Sequence, residues 1–571
     1  MNNQNVKSIV SKMNLRRQFL EMIMLDIRFF DKNSKLTQTP VRVLPKELAV
    51  FLKEYPVGGI VLFRENLQNL EEIIQLTNDL QQNSINGRFI AVDQEGGVVA
   101  RIPEACDMPG NMALGALNEA YYTQKTAKLI GFELRKLGIN FNLAPVVDVN
   151  TNPDNPVIGV RSFGSDPNLV AKHGIAYSKG LHASNIISCC KHFPGHGNTS
   201  VDSHIAMPTV NGTSEELYNN ELLPFKNIIR SGVDAVMSAH IVVPGLDEYG
   251  IFSSKAMKII PIPATFSEAI MVDVLRKELG FRGLIISDAL DMNAITNNFT
   301  PLEAVLNSIK AGVNVVIMPL HIRTPDEINQ FVDFFEEALK IIDHYSYFQK
   351  VIFNSCCRIT ELKLKKVTPF LNKQFSVDEA KKNIRKYVGT QNNRKFEDDL
   401  AFRCVTLFKN EKGLLPWRVK KEDRVLLISE NSLINDDVSI ELNRLGFFNV
   451  AGWNYSVDKN AGFEIIGNDK VLLITCNLTI KKASQIQFIV EDLNAKNISY
   501  VLISGNNPYD ILYLKNVHTN VLAFGCSGFE QTNNLSRKFS LNITQTVRKI
   551  MTADKITDFN ENIPVDLKII N

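Results

Sequence analysis

The sequence predicts an α/β protein in which a (β/α)8 barrel of the TIM type is followed by a smaller α/β sandwich domain. Two observations support this fold class. Eight short apolar runs alternate with helix-like segments over the first 320 residues, and four similar runs follow after residue 420. Continuous hydrophobic runs are typical of strands that are buried on both faces of a parallel sheet. Their alternation with helices favours a barrel.

The eight runs of the predicted barrel are short and apolar. They are MIMLDI from Met22, GIVLF from Gly59, FIAVD from Phe89, INFNLA from Ile139, IISCCKH from Ile186, VDAVMSA from Val233, GLIISD from Gly283 and VNVVIM from Val313. Segments with amphipathic helical spacing lie between them, such as NLEEIIQLTNDLQQ after the second run and PLEAVLNSIKAG before the eighth. Gly312 at the end of the latter segment predicts a helix stop.

The chain beyond the predicted barrel divides into two parts. Residues 346–397 are rich in lysine and helical in pattern, which indicates a helical linker. Residues 398–571 contain the four further strand-like runs, which predict the sandwich domain. These runs are RVLLIS from Arg424, KVLLIT from Lys470, YVLISG from Tyr500 and NVLAFG from Asn520. We therefore assign the barrel to residues 1–345.

Composition and charge narrow the class of protein. Lys and Arg number 63 and Asp and Glu number 61, so the formal net charge of the 571 residues is +2. A dedicated nucleic-acid binder needs a stronger positive field, and we expect no nucleic-acid partner. The chain lacks the roughly eighteen consecutive apolar residues of a transmembrane helix, so we expect no membrane partner. No oligomeric state follows from the sequence.

The N-terminal segment and the cysteines predict the compartment. Glu21, Asp26 and Arg28 interrupt every hydrophobic run of the first thirty residues, so the apolar core of a signal peptide is missing there. The eight cysteines lack the spacing of a disulfide framework. Free thiols suit a reducing compartment, and we expect a cytoplasmic protein.

Polar side chains close several of the predicted barrel strands. Active sites of (β/α)8 barrels lie at the carboxyl ends of the strands. Charged groups at the end of a buried strand are costly unless they have a role. The polar residues at these ends are Arg64 after run two, Asp93 in run three, Lys191 and His192 in run five, His240 after run six and Asp288 in run seven.

A histidine cluster follows the fifth run. Three of the nine histidines fall between residues 192 and 204. The spacing of His192 and His196 would suit a zinc site on a helix, but Pro194 and Gly195 between them argue against a helix. No cysteine pair is placed to complete a ligand set, so we expect no metal and no other cofactor.

The same segment contains a candidate acid/base pair. Asp202 and His204 stand two residues apart on a glycine-rich loop, and a carboxylate bonded to one ring nitrogen leaves the other nitrogen for proton transfer. Asp288 ends an apolar strand and is suited to act as a nucleophile or as an electrostatic partner. This pattern alone does not separate glycosyl transfer from acyl transfer or aldol chemistry.

Several motifs together resemble family 3 glycoside hydrolases, and specifically their β-N-acetylglucosaminidase branch of the peptidoglycan-recycling type, in a two-domain form. The similarity covers roughly residues 20 to 345. The motifs are Asp93-Gln-Glu-Gly-Gly97 with Arg101, Asn142 to Asp148, Arg161 to Asp166, Lys191-His-Phe-Pro-Gly-His-Gly197 with Asp202-Ser-His204 and Pro208, and Ser287-Asp288-Ala-Leu290. In the second domain, LFKNEKGLLPW from Leu407 is the only specific marker.

The resemblance implies a retaining double displacement. Asp288 would attack the anomeric carbon, and His204, oriented by Asp202, would protonate the leaving oxygen and later activate water. Positions that hold the sugar hydroxyls and the N-acetyl group in the family are matched by Asp93, Arg101, Arg161, Lys191 and His192. The implied substrate is a small carbohydrate, a muropeptide fragment from which a terminal GlcNAc is removed by exo-acting hydrolysis.

Alternatives to this interpretation stay open at the level of sequence. A β-glucosidase or xylosidase of the same family would take its acid from a Glu of the second domain, and a β-N-acetylglucosaminide phosphorylase would use phosphate in place of water. A sugar-binding protein without catalysis is a further alternative. The chain also departs from the family pattern at Val98 and Asn198, where we expect altered substrate contacts.

Overall fold

The first part of the molecule is a closed barrel of eight parallel strands. The computed structural model describes residues 3–33, 38–82, 84, 86–199, 207–371, 376–456, 465, 467–525 and 541–567. The barrel strands are β1 (Ile23–Asp26), β2 (Gly59–Val61), β3 (Phe89–Val92), β4 (Phe141–Asn142), β5 (Ile187–Phe193), β6 (Ala235–Ser238), β9 (Leu284–Ala289) and β10 (Val315–Ile317). They follow one another around the ring in chain order, and β10 pairs with β1 to close it.

Two short strands interrupt this series without joining the barrel. They are β7 (Gly250–Ser253) and β8 (Lys258–Pro261), which form an antiparallel hairpin after β6. The side chains of Phe252 and Ile259 on this hairpin are exposed to solvent. The hairpin was not predicted from the sequence, because neither strand has the continuous apolar run of a buried strand.

Helices surround the barrel. They are α1 (Asn3–Val10), α2 (Leu15–Glu21), α3 (Lys46–Glu54), α4 (Leu70–Gln81), α5 (Asn111–Leu117), α6 (Ala120–Lys136), α7 (Pro167–Ala183), α8 (Ser214–Asn219), α9 (Leu222–Arg230), a π-helix (Ala269–Glu278), α10 (Asn293–Thr296), α11 (Pro301–Lys310) and α12 (Pro325–His344).

Capping interactions explain where two predicted helices begin and end. Asn69 precedes α4, and its side chain accepts hydrogen bonds from two backbone N–H groups of the first turn. Thr300 and Glu303 form a capping box at the start of α11. Helix α11 ends before Gly312, which has a φ of 96° that few other residues adopt, so the predicted stop is confirmed.

A run of helices connects the barrel to the second sheet. These helices are α13 (Ser346–Lys366), α14 (Thr368–Leu371), α15 (Val377–Asn383), a 3-10 helix (Ile384–Lys386) and α16 (Gln391–Cys404). Helix α13 packs against α1, α2, α11 and α12 of the barrel. The domain boundaries at residues 345 and 397 stay a prediction.

The second sheet has six described strands in the order β11-β16-β15-β14-β12-β13, and only β11 runs antiparallel to its neighbour. The strands are β11 (Thr406–Asn410), β12 (Val425–Ser429), β13 (Val450–Asn454), β14 (Lys470–Thr475), β15 (Tyr500–Ser504) and β16 (Thr519–Leu522). The accompanying helices are α17 (Ser432–Arg444), α18 (Ile480–Ala495) and α19 (Leu541–Thr552). The predicted fold class, a barrel followed by a smaller α/β domain, is confirmed.

Successive residues of the second sheet belong to different cores. Val425 and Leu427 of β12 pack in one hydrophobic cluster with residues of α17 and α19. Leu426 and Ile428 belong to the cluster that also contains α18 and the barrel interior. This alternation follows from the period of two in a strand. One face of the second sheet is therefore continuous with the core that supports the barrel.

Hydrogen bonds also join the second domain to the barrel. Asn542 Nδ2 donates to Pro109 O at 2.8 Å, and Asn560 Nδ2 donates to Ala116 O at 2.7 Å. Both side chains reach across the junction to backbone carbonyls that follow β3. No helix in the described parts of the chain combines the length and the apolar character needed to cross a bilayer.

Candidate active site

A cleft of about 1420 Å³ opens at the carboxyl ends of the barrel strands. It brings together six of the eight predicted site residues. The six are Asp93, Arg101, Arg161, Lys191, His192 and Asp288. The other two predicted residues, Asp202 and His204, lie outside the described residues. Val98, one of the departures from the family pattern, also lines the cleft.

Asp288 lies at the end of β9 and is partly exposed to the cleft. Its Oδ1 accepts a hydrogen bond of 2.8 Å from the backbone N–H of Ala289. Removal from bulk water raises the pKa of the Asp288 carboxyl, but the charges of His192 and His240 and this hydrogen bond outweigh that effect and hold the pKa below its ordinary value. The carboxylate is therefore ionised at neutral pH, as a nucleophile requires.

His240, which lies just after β6, supports strand β9. Its Nε2 lies 3.0 Å from the carbonyl oxygen of Ala289, and its Nδ1 lies 2.9 Å from Thr265 Oγ1. The side chain is fully buried. It therefore fixes the backbone beside Asp288 and contributes charge near that carboxylate when it is protonated.

Two cations and two carboxylates form a network at the ends of β3 and β5. Lys191 Nζ lies 2.6 Å from Asp93 Oδ1 and 2.7 Å from Glu95 Oε1. Arg161 donates to both oxygens of Glu95, from Nε at 2.9 Å and from Nη2 at 2.7 Å. The formal charges of these four groups sum to zero, and the attraction between the opposite charges offsets the cost of removing them from water.

Glu95 stabilises this network, and the sequence analysis did not assign it a role. Its side chain is buried, which would raise the pKa of the carboxyl, but Arg161 and Lys191 hold that pKa far below its ordinary range. Burial would lower the pKa of Lys191, whereas Asp93 and Glu95 raise it. The signal was present in the sequence, because Glu95 lies inside the motif that contains Asp93.

Arg101 is held by the loop that follows β3. Its backbone N–H donates to Gln94 Oε1 at 2.7 Å. Gln94 and Asn142 exchange two hydrogen bonds, one from each residue, at 3.0 and 2.9 Å. These contacts tie the loop to the end of β4 and place the Arg101 side chain against the cleft.

His192 pairs with a buried carboxylate that the sequence analysis also missed. Its Nδ1 lies 2.7 Å from Asp148 Oδ2. An ionised carboxylate only accepts hydrogen bonds, so Nδ1 bears the proton and Nε2 remains available to the cleft. Burial would raise the pKa of Asp148, but His192, together with His196, lowers it. Asp148 ends a quoted motif, which is the signal that could have identified it.

His196 is part of the loop and is neutral. Its backbone N–H donates to Asp148 Oδ1 at 2.7 Å, and its Nδ1 lies 2.8 Å from Thr199 Oγ1. Burial lowers the pKa of His196 to about 4. Asn155 Nδ2 donates to the carbonyl oxygens of His196 and Gly197 at 2.9 and 3.0 Å, which anchors the histidine loop at these two residues.

His321 joins two carboxylates on the opposite side of the cleft. His321 Nδ1 lies 3.5 Å from Asp26 Oδ1, and its Nε2 lies 3.3 Å from Asp291 Oδ2. The bond to Asp26 raises the pKa of His321 despite partial burial. Asp26 and Asp291 both line the cleft. This group was not predicted from the sequence, because Asp26 lies in β1 whereas Asp291 and His321 follow β9 and β10, far away along the chain.

The arrangement can bind a polyhydroxylated ligand and attack it. Charged donors and acceptors on one side form strong, oriented hydrogen bonds to hydroxyl groups. The ionised carboxylate of Asp288 on the other side can act as a nucleophile or stabilise developing positive charge. Within the described residues, no group of three or more His, Cys, Asp or Glu side chains is placed to hold a metal ion.

The chain is similar to named proteins of one family. Residues 21–362 match the glycosyl hydrolase family 3 N terminal domain. Over 413 residues the chain is 40% identical to Beta-hexosaminidase A of Pseudoalteromonas piscicida, which covers 70% of this chain and 67% of that protein.

Solved structures agree with the sequence comparisons. A glycoside hydrolase family 3 β-N-acetylglucosaminidase from Paenibacillus sp. str. FPU-7 matches with a TM-score of 0.79 and 26% identity, covering 98% of this chain and all (100%) of that chain. A fungal multi-domain family 3 β-N-acetylglucosaminidase matches with a TM-score of 0.78 and 26% identity over 98% of this chain, which spans 61% of that chain's length. The resemblance drawn from the motifs is confirmed: this chain belongs to glycosyl hydrolase family 3.

Proposed function

We propose that this protein is a retaining, exo-acting β-N-acetylglucosaminidase that removes terminal GlcNAc from muropeptide fragments of the cell wall. The observation that carries the proposal is the ionised Asp288 carboxylate, which faces the same cleft as the network of Asp93, Glu95, Arg161 and Lys191. Similar proteins are named as β-hexosaminidases and β-N-acetylglucosaminidases, which supports the choice of sugar.

In the proposed first step, Asp288 attacks the anomeric carbon and the bond from that carbon to the leaving oxygen breaks. His204 gives its proton to the leaving oxygen, and a covalent glycosyl-enzyme remains on Asp288. In the second step, His204 takes a proton from water, whose oxygen attacks the anomeric carbon and releases Asp288. Asp202 orients the imidazole in both steps. Two inversions at one carbon give net retention of configuration.

The sugar would lie over the charged network. Asp93 is the accessible carboxylate of that network, with 21% of its side chain exposed. It is suited to accept hydrogen bonds from hydroxyl groups, while Arg101 and Arg161 are suited to donate to hydroxyl or acetamido oxygens. The free Nε2 of His192 is suited to accept a hydrogen bond from a sugar hydroxyl group. We place the reaction in the cytoplasm. The seven cysteines described in the structure all carry free thiols, which suits a reducing compartment.

The test is the Asp288→Ala variant, assayed for GlcNAc release from an aryl β-GlcNAc. We expect the rate to fall by roughly 10⁴-fold or more, because truncation of a covalent nucleophile removes the chemical step. Azide, which fits the space of the lost carboxylate and can attack the anomeric carbon, should restore turnover and yield the α-configured glycosyl azide. The matched control is Asp333→Ala, an exposed carboxylate on α12. Activity of Asp288→Ala near that of the control would refute the assignment.

Substrate comparison with the wild type tests the remaining alternatives. Faster hydrolysis of an aryl β-glucoside than of the aryl β-GlcNAc would favour the glucosidase. GlcNAc-1-phosphate as the main product in phosphate buffer would favour the phosphorylase. Free GlcNAc with the β-configuration at first release supports the proposal.

A further inference from the structure

The cleft extends beyond the barrel onto the second domain. The barrel residues that would hold the terminal sugar line only one part of the cleft. The cleft volume of about 1420 Å³ exceeds the upper limit of roughly 1,000 Å³ for a site that encloses one drug-sized ligand. Two segments of the second domain, residues 477–481 and 506–513, form the far wall, and we refer to them as the second-domain wall. The residues of this wall that line the cleft are 477–481, Asn506, Asn507 and Tyr513.

Hydrogen bonds within the second domain hold these two segments together. The backbone N–H of Leu478 donates to Oδ1 of the buried Asp510 at 2.8 Å. Asn506 Nδ2 donates to Asn477 Oδ1 at 2.8 Å. Each of these two bonds joins a residue of one segment to a residue of the other, so the two segments support one another. Preorganisation of this kind lowers the cost of binding a ligand.

Further hydrogen bonds fix the wall to the barrel. Asn150 Nδ2 donates to the hydroxyl oxygen of Tyr509 at 3.1 Å, and that hydroxyl donates to Asn150 O at 3.3 Å, both in a buried position. The hydroxyl of Tyr513 donates to Asp154 Oδ1 at 2.9 Å. The second-domain wall therefore keeps a fixed position relative to the loop that contains Arg161.

The side chains that the wall presents to the cleft have a consistent chemistry. Asn506 and Asn507 offer amides that suit sugar hydroxyl and acetamido groups, and the exposed Ile480 offers an apolar surface. Lys481 is the cation among the described wall residues that line the cleft, and none of those lining residues is acidic. The wall thus favours a ligand that combines polar sugar groups with negative charge.

We propose that the second-domain wall is the binding site for the leaving-group part of the substrate, and that Lys481 recognises a carboxylate on it. The ligand class is a sugar linked to an acidic peptide or acid side group. This inference rests on the proposed function, because it takes the cleft to bind a β-GlcNAc whose leaving group extends away from Asp288. The second domain then determines specificity while the barrel supplies the reacting groups.

Three substrates and three variants test the proposal. The substrates are an aryl β-GlcNAc, chitobiose with its neutral leaving sugar, and GlcNAc-β-1,4-MurNAc-peptide with its carboxylates. The variants are Lys481→Ala, Lys481→Glu and the control Lys482→Ala. The control removes the next lysine of α18, whose Nζ contacts Glu430 at 2.7 Å outside the cleft.

We expect Lys481→Ala to lower kcat/KM for the muramyl peptide substrate by about fivefold, the upper end for an exposed ion pair. Lys481→Glu should lower it by about tenfold or more, because a like charge then faces the carboxylate. Both variants should stay within about twofold of the wild type on the aryl substrate and on chitobiose. The difference between wild type and Lys481→Ala should shrink at high salt, since screening weakens exposed ion pairs.

Equal effects of both Lys481 variants on all three substrates, or no effect on any of them, would overturn the inference. So would an effect of Lys482→Ala as large as that of Lys481→Ala. Failure of the proposed function has a different signature, because the wild type would then release no GlcNAc from the aryl substrate. The two outcomes are therefore distinguishable in one set of assays.

Discussion

Substitution of Glu95 by Gln tests whether the charged network supports both folding and activity. In the wild type, Glu95 receives three charged contacts, from Arg161 at 2.9 and 2.7 Å and from Lys191 at 2.7 Å. Gln is nearly the same shape but carries no charge, and its amide nitrogen donates where the network needs an acceptor. The four groups then sum to +1 instead of zero.

The expected loss of stability is large. Removal of one partner from a buried ion pair costs about 3–5 kcal/mol because the remaining charge stays buried without compensation. Asp93 still neutralises one of the two cations, so we expect the lower end, about 3 kcal/mol. The free energy of unfolding is measured by urea titration with far-UV circular dichroism. Tryptophan fluorescence would report on the second domain and not on the barrel, because Trp417 and Trp453 both lie in the second domain.

The pH dependence of this loss has a defined sign. The pKa of Glu95 is lowered in the folded protein, so its stabilising contribution is complete above the unfolded pKa of about 4.5 and is lost as pH falls toward the folded pKa. Gln does not titrate. The difference in stability between wild type and Glu95→Gln should therefore be constant above about pH 5 and should narrow in more acidic solution.

A matched surface variant makes the result interpretable. Glu411 is half exposed and pairs with Lys409 at 2.8 Å and with His518 at 3.0 Å. Glu411→Gln should change the free energy of unfolding by less than about 1 kcal/mol.

We also expect kcat/KM of Glu95→Gln to fall by about 10²-fold, because Lys191 and Arg161 shift by a fraction of an ångström or more. A Glu95→Gln protein as stable and active as Glu411→Gln would refute this account of the network.

Three further predictions concern groups that contact the cleft or the domain junction. Asp148→Asn removes the charged acceptor of His192 and should lower kcat/KM by about 10–100-fold, measured with the aryl β-GlcNAc. Burial, together with a neighbouring carboxylate, raises the pKa of Glu397 to about 7, so the difference in stability between wild type and Glu397→Gln should fall as pH rises from 5 to 8, measured by urea titrations at each pH. Tyr509→Phe removes the hydroxyl bonded to Asn150 and should lower the free energy of unfolding by about 1–2 kcal/mol.

Each of these predictions has a control or a refuting result. Asp234 lies outside the cleft, and its Oδ2 is 2.8 Å from Nε2 of His182, so Asp234→Asn should leave kcat/KM unchanged. Equal losses of kcat/KM in Asp148→Asn and Asp234→Asn would contradict the role given to Asp148. A difference in stability between wild type and Glu397→Gln that rises between pH 5 and 8 contradicts the sign given for Glu397. Tyr500→Phe removes a hydrogen bond that lies within the second domain. A larger loss in the free energy of unfolding for Tyr500→Phe than for Tyr509→Phe would contradict the importance given to the junction.

Much of the fold could be predicted from the sequence because the strands of a parallel barrel are buried on both faces. Such strands need apolar residues at every position, which gives a continuous run that the sequence displays. The strands β11 and β13 were missed for the opposite reason. They lie at the edges of the second sheet, and β13 contains Gly452, which is exposed, and Trp453, which is half-buried. An edge strand of this kind has no continuous apolar run.

The candidate site was predicted only in part, for a reason that concerns charge compensation. Strand-end position identified Asp93, Lys191 and Asp288, since polar residues directly after buried strands are conspicuous. It did not identify Glu95, which lies 66 residues from Arg161 in the sequence but shares two hydrogen bonds with it. Spacing along a chain does not show which carboxylate neutralises which cation, because that depends on how distant strands are placed around the barrel.

The neutrality of the network has a consequence for the chemistry proposed at Asp288. Lys191 and Arg161 are compensated by Asp93 and Glu95, so these four groups add no net charge to the cleft. Positive charge develops at the anomeric centre in glycoside hydrolysis. The negative charge of Asp288 can then stabilise that centre without opposition from the two cations that position the sugar. Loss of Glu95 would leave one cation uncompensated and would oppose the reaction electrostatically, in addition to displacing the side chains that bind the substrate.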